Sequence, residues 1–309
     1  MSNKSAWTIA AGFLLAAFAG GAAAQQPYIP LISKGFQHQF WQAVKQGAEQ
    51  AGKDFNAKIT FEGPETEAMV DKQIDMLSAT LAKHPNAIGF AALDSKAAIP
   101  LLKKAQAAKI PVIAFDSGVD SDIPVTTATT DNKAAAALAA DKMAALVGDA
   151  GDIALVVHDQ TSRTGIDRRD GFVDRMKAAH PNIKIVSVQY GGGDHLKSTE
   201  IAKSMLQANP NLKGIFGANE GSALGVVNAV RETKRKVVVI GYDSGKAQKD
   251  AIRDGTMAGA ITQNPVGIGY KTVEAAIKGE KLPKVVDTGF YWYDKTNIAD
   301  PKIASVLYD

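Results

Sequence analysis

Residues able to hold a small polar molecule recur along this chain at the ends of short apolar runs. Asp116-Ser117 follows Val112–Phe115, Asn219-Glu220 follows Gly214–Ala218, and Asp243-Ser244 follows Val237–Tyr242. Lys34 through Trp41 follows Tyr28–Ile32, the stretch from His158 to Arg168 follows Ile153–Val157, and Gln263-Asn264 stands in the same position. A carboxylate accepts two hydroxyl hydrogens, an amide both donates and accepts, and a guanidinium presents a planar fork of donors. That mixture suits an uncharged ligand with several hydroxyls, and Phe40-Trp41 add flat apolar faces for the C–H side of a sugar ring. Helix capping competes for some of these positions, and Asp94, Asp131 and Glu220 read as caps or turn residues. Capping requires neither Arg168 nor an aromatic pair. Phe40 fits core or site equally well, and Trp41, its neighbour on a helix, is expected to face elsewhere.

Catalytic chemistry finds less support. The histidines His38, His84, His158, His180 and His195 are scattered and form no HExxH or other metal-ligand spacing. His84 and His180 precede prolines at predicted helix ends, where they read as C-terminal caps. His158-Asp159 resembles an acid–base pair, but no G-x-S-x-G elbow accompanies it. Gly191-Gly192-Gly193 lacks the Lys-Ser/Thr of a phosphate loop. Asp116 with Asp243 matches a glycosidase pair only if one carboxyl is protonated beside a water-filled gap. The reading is a binding protein rather than an enzyme, with no cofactor and no metal.

The elements that must position these residues alternate regularly. Apolar runs at Tyr28–Ile32, Ala87–Ala92, Val112–Phe115, Ile153–Val157, Ile183–Val188, Gly214–Ala218 and Val237–Tyr242 suit strands buried on both faces. Helical stretches lie between them, among them Phe40–Phe55, Asn132–Val147, Asp170–His180 and Ala223–Glu232. Strand–helix alternation with short connections specifies parallel sheets. A length of 309 residues, 46% of them hydrophobic, supports two doubly wound α/β lobes rather than one very wide sheet. No low-complexity linker separates the halves, so the chain is expected to cross between lobes more than once. Such sheets place ligands at the carboxyl ends of their strands, where the polar residues stand.

Composition narrows the setting. The formal charge is +3 and the charges are interspersed, which argues against nucleic acid or a polybasic membrane patch. The chain has no Cys, which excludes disulfides and thiolate chemistry. Lys4, an apolar run from Trp7 to Phe18 and Ala22-Ala23-Ala24 read as a cleaved signal peptide over 1–24, and that run is too short to span a bilayer.

Seven segments in series carry a family resemblance: Phe40-Trp41 with Gly47-Ala48, Ile110–Asp116, Thr130-Asp131-Asn132, Asp167–Phe172, Ile215–Glu220, Gly241–Ser244 and Ile261–Pro265. Across the mature chain they resemble the type I periplasmic sugar-binding proteins, the ribose-binding group of ABC-transporter solute receptors, which share their fold with LacI-type repressor cores. The resemblance implies two doubly wound parallel-sheet lobes joined by three crossings, near Thr130, Gln263-Asn264 and Val286–Gly289. The lobes would comprise 25–130 with 264–286, and 131–263 with 287–309.

By the same resemblance, Phe40 and Trp41 lie against the sugar ring and Asp116 accepts its hydroxyls. Arg168 reaches the ring oxygen, and Asn219, Asp243 and Gln263 supply further contacts. Ser117 stands where the ribose receptors have Arg, His38 where they have Asn, and Gly191–Gly193 where they carry a second aromatic; Tyr190 and His195 lie nearby. These departures imply a roomier, less cationic pocket that suits a hexose, ketose or polyol at least as well as ribose. Lys34 with Asp116 also resembles a branch that binds a furanosyl quorum signal. Implied partners are a membrane permease and a chemoreceptor, with a monomer in the periplasm. The alternatives are a soluble sensor and a carbohydrate-active enzyme.

Overall fold

In the computed structural model the described residues are 26–279 and 282–309; the expected signal peptide over 1–24 lies outside them. Two six-stranded sheets organise the described residues. The first orders its strands β11-β5-β4-β3-β1-β2, and the second β12-β10-β9-β8-β6-β7. Corresponding positions from β2 to β5 and from β7 to β10 are thus filled in the same sequence, so the halves share one winding.

The first sheet contains β1 (Tyr28–Ile32), β2 (Lys58–Glu62), β3 (Ile88–Phe90), β4 (Val112–Phe115), β5 (Thr127–Thr129) and β11 (Val285–Asp287). Around it pack α1 (Gln39–Asp54), α2 (Val70–Leu81), α3 (Ile99–Ala107) and α9 (Pro265–Lys278). The second contains β6 (Gly151–Val157), β7 (Ile183–Tyr190), β8 (Leu212–Gly217), β9 (Val238–Tyr242), β10 (Gly259–Gln263) and β12 (Phe290–Asp294). Its helices are α4 (Asn132–Val147), α5 (Arg163–Ala179), α6 (His195–Ala208), α7 (Glu220–Thr233), α8 (Lys246–Asp254) and the short α10 (Pro301–Ala304). Among the described residues every strand pairing is parallel except β12 against β10. Both sheets are covered on both faces, which explains continuous apolar runs such as Ile153–Val157, all fully buried.

Several elements departed from the pattern reading. β2 reads Lys-Ile-Thr-Phe-Glu, an alternation typical of a half-covered edge, and lacks the apolar run used to find the other strands. α9 begins with Pro265 and carries Gly267 and Gly269, both poor helix formers. Gly269 is required by packing: a methyl there would lie 1.9 Å from the Val44 carbonyl oxygen, so α1 and α9 touch backbone to side. α5 starts at Arg163 rather than Asp170, capped by the Ser162 hydroxyl, which accepts from the Gly165 N–H at 3.1 Å. This earlier start places Arg168 on a helix whose first turns face the other lobe.

The crossings are bonded to one another. Thr130 Oγ1 donates to Gln263 Oε1 at 2.9 Å, the Thr288 N–H donates to the Thr129 carbonyl at 2.9 Å, and the Asp131 N–H reaches Asp287 Oδ1 at 3.3 Å.

Candidate functional site

The two strand-end carboxylates come from a repeated tetrapeptide. Phe115-Asp116-Ser117-Gly118 leaves β4 and Tyr242-Asp243-Ser244-Gly245 leaves β9, the fourth strand of each lobe in chain order apart from the crossing strands. Asp116 (φ 54°) and Asp243 (φ 80°) both take left-handed backbone, which aspartate tolerates better than most residues. Each is fixed by its N–H, Asp116 to the Ala128 carbonyl at 2.9 Å and Asp243 to that of Ile261 at 2.6 Å.

In the second lobe Asp243 is held on both oxygens, by Gln263 Nε2 at 2.7 Å and the Glu220 N–H at 2.9 Å. Arg168 lies over the Tyr242 ring, 3.8 Å from its centroid, with Nε on Asn132 Oδ1 and Nη1 on the Ala218 carbonyl. Burial opposes its charge, but Tyr242, Asp243, Asp116 and Glu67 outweigh that and hold its pKa above the ordinary guanidinium value. Asn219 caps α7 with its oxygen on the Ser222 N–H, which leaves its amide nitrogen free to face the cavity.

In the first lobe, Phe40 and Trp41 meet edge to face, with centroids 5.0 Å apart at 83°. Both line the cavity, although neighbours on a helix point in different directions, because they sit in the first turn of α1, whose end points into the cleft. Lys34 Nζ donates across the cleft to Thr164 Oγ1 at 3.2 Å and lies 3.7 Å from Asp159. Asp116 is buried, and its carboxylate accepts no hydrogen bond among the described residues. Burial pushes its pKa up to about 6, although Lys34 and Arg168 pull it down, and Glu67 and Asp243 repel its charge. His158 is held strongly toward the neutral form by burial and by Lys34.

These groups line one cavity of about 260 Å³, the solvent space at its mouth included. Lys34, His38, Phe40, Trp41 and Asp116 line it from the first lobe, and Arg168, Asn219, Asp243 and Gln263 from the second. Ser117 does not: it is fully buried behind Asp116 and its hydroxyl has no partner. Tyr190 and His195 are also absent from the lining, and Tyr190 instead accepts from Arg169 Nη1. Lys34 and Arg168 keep two cations at the cavity despite Ser117.

Three lining residues are not among the expected contacts: Glu67, and His158 and Thr164 from the strand-end stretch that was singled out only as a whole. Glu67 lies in the loop after β2. Reading Lys58–Glu62 as a strand would have placed that loop among the strand ends to inspect.

The cleft is closed by direct contacts. Glu220 of the second lobe accepts the N–H groups of Gln39 at 3.1 Å and Phe40 at 3.2 Å, capping α1 from the opposite side. The Tyr308 hydroxyl accepts from the Ser244 N–H, while its ring lies against Phe40, 6.2 Å between centroids. Asp94 and Asp131 do serve their own local turn and helix. His180 closes α5, its ring bonded to Asp141 and Asp149.

Known proteins share this fold. The chain is 28% identical over 269 residues to the D-allose-binding periplasmic protein of Escherichia coli, covering 83% of this chain and 85% of that one. A carbohydrate transporter solute-binding protein from Agrobacterium radiobacter, solved with D-arabinose, superposes with a TM-score of 0.89 at 33% identity, covering 92% and 100%. An ABC transporter solute-binding protein from Agrobacterium vitis, solved with D-fucose, gives 0.88 at 35% identity, covering 91% and 100%. Residues 29–279 match the periplasmic binding protein domain, and the chain belongs to that family.

Proposed function

We propose that this chain is the solute-binding protein of an ABC importer, clamping one monosaccharide or related polyol, chemically unchanged, between its lobes. The carrying observation is Asp116: a buried carboxylate with no hydrogen-bond donor from the described residues, beside Arg168 and an aromatic pair in a small enclosed space. Sugar hydroxyls supply the missing donors, and the ring's C–H face covers Phe40 and Trp41. Arg168, Asn219, Lys34 and His38 address the remaining oxygens. Asp243 and Gln263, already bonded to protein groups, orient the second wall and offer their second lone pairs. The charges, two cations against three carboxylates, favour a neutral ligand over an acidic one.

The sugar names of the relatives support the same class. The protein works in the periplasm after losing residues 1–24, as a monomer whose closed form is read by a membrane permease and, where one exists, a chemoreceptor. Its bodies, 25–130 with 264–286 and 131–263 with 287–309, swing about the three crossings, and the ligand shifts the population toward closure. Charge-assisted hydrogen bonds of about 1.5–3 kcal/mol each, offset by ordering and hinge closure, leave about −8 kcal/mol, a micromolar Kd.

A thermal-shift screen of pentoses, hexoses, ketoses and polyols tests this. A ligand at 100 times its Kd should add about 2.7 kcal/mol of stability. A screen with no shift, or recovery of a transformed sugar, would defeat the reading.

A further inference from the structure

Glu67 is buried in the cavity wall, and its Oε1 accepts the Trp41 indole N–H at 2.8 Å. Its Oε2 accepts no hydrogen bond among the described residues. Burial pushes its carboxyl toward the neutral form, but Lys34, His38, His158 and the Trp41 bond prevail and hold it below the usual carboxylate range. His38 stands beside it. Its Nε2 is buried without a partner and lies 4.0 Å from Glu67 Oε1, too far for a hydrogen bond.

Gly193, from the opposite lobe, shows where these atoms converge. A methyl group there would lie 2.9 Å from Glu67 Oε2, 3.4 Å from Asn219 Nδ2 and 3.4 Å from His38 Nε2. Its φ of +71° further restricts the position to glycine. That point adjoins the Gly193 backbone and holds no ligand atom, but it shows that the three atoms are close neighbours on the cavity wall, to which all three residues contribute.

We propose that Glu67, with His38 and Asn219, forms a specificity-determining cluster that requires one particular hydroxyl of the bound sugar. The inference rests on the sugar-binding reading above. An ionised carboxylate oxygen only accepts, an amide nitrogen only donates, and the imidazole Nε2 does one or the other according to tautomer. A sugar hydroxyl donates and accepts through one atom, so it complements this set where an ether oxygen or a methylene does not. A deoxy carbon leaves the carboxylate and the imidazole unpaired in an enclosed space, and a carboxylate is repelled by Glu67. The cluster therefore selects a neutral sugar with a free hydroxyl here, and rejects its deoxy and uronic analogues.

Calorimetric titration of wild type, Glu67→Gln and His38→Asn tests this. The probes are D-ribose, D-allose, D-arabinose, D-galactose and D-fucose, then the monodeoxy analogues of whichever binds tightest. In wild type, one analogue should bind about 10–100-fold more weakly than its parent. In Glu67→Gln the parent should fall by a similar factor, while the penalty for that analogue shrinks to less than about threefold. The other analogues should keep their wild-type ratios. His38→Asn should show the same selective change at smaller size, and it carries the test alone if thermal melting shows that Glu67→Gln does not fold. A uniform loss across all sugars, or no change, overturns the inference while leaving sugar binding intact. Wild type that binds no sugar of the panel overturns the functional reading, and this inference with it.

Discussion

Asp116 and Asp243 occupy equivalent corners of the two lobes, one residue past β4 and β9 and both in left-handed backbone, yet their carboxylates are used differently. Asp243 is bonded on both oxygens by its own lobe, whereas Asp116 meets no donor from the described residues. The closed cleft thus pairs a preorganised wall with a carboxylate whose donors must come from the guest.

This asymmetry predicts opposite effects of Asp116→Asn on stability and binding. The folded-state pKa of about 6 lies above the ordinary 3.8, so the contribution of Asp116 to stability is full below about pH 4 and lost as pH rises through 6. Without sugar, the variant should therefore melt higher than wild type at pH 7.5, with the gap vanishing toward pH 4. Its sugar affinity should fall at least tenfold at pH 7.5. Wild-type affinity should weaken below pH 6 as protons compete with hydroxyl donors, and calorimetry across pH 5–8 checks both trends.

Glu220 predicts a loss without selectivity. Its carboxylate caps α1 only when the lobes meet, so Glu220→Ala should weaken every sugar by about 5–30-fold, equivalent to about 1–2 kcal/mol. Small-angle scattering should show the sugar-free variant more open and the saturated variant as compact as wild type. Preferential loss of one sugar would contradict this role.

Fluorescence isolates the aromatic wall. Trp292→Phe leaves Trp41 as the single tryptophan within residues 26–309, and sugar titration of that variant should give a saturable emission change. Adding Phe40→Ala should weaken binding by about tenfold, or about 1.4 kcal/mol, through loss of the ring and its edge-to-face contact. A silent titration despite calorimetric binding would remove Trp41 from the site.

Packing between α1 and α9 predicts a purely structural effect. A methyl at Gly47 would stand 2.0 Å from the Val266 carbonyl oxygen, so Gly47→Ala must push the helices apart. It should destabilise the protein by about 1–3 kcal/mol and lower Tm by several degrees. Scanning calorimetry checks this, and an unchanged Tm would show that the backbone yields freely.

Much of the fold was legible because strands buried on both faces must be apolar throughout. β1, β4 and α4 begin and end where the pattern put them. The edge strand β2 and the glycine-bearing α9 were not, since half-covered edges and helices in backbone contact are shaped by their neighbours rather than by their own periodicity. Nine of the ten expected site residues line one cavity because strand ends are local features that any open parallel sheet gathers on one side. Ser117 shares that position, but its side chain turns into the core.

Sequence alone determined two α/β lobes, the polar character of their facing ends and the aromatic pair, because hydrophobic period and strand-end chemistry are written within short stretches. Tertiary structure decided which polar groups remain unpaired: Asp243 is bonded once on each oxygen, the Asp116 carboxylate and His38 Nε2 meet no partner among the described residues, and Glu67 arrives from a loop with no motif. The physical reason is that hydrogen-bond satisfaction depends on atoms within about 3 Å, and here those atoms come from separate segments, as Glu220 and Gln263 do for Asp243 and Trp41 for Glu67.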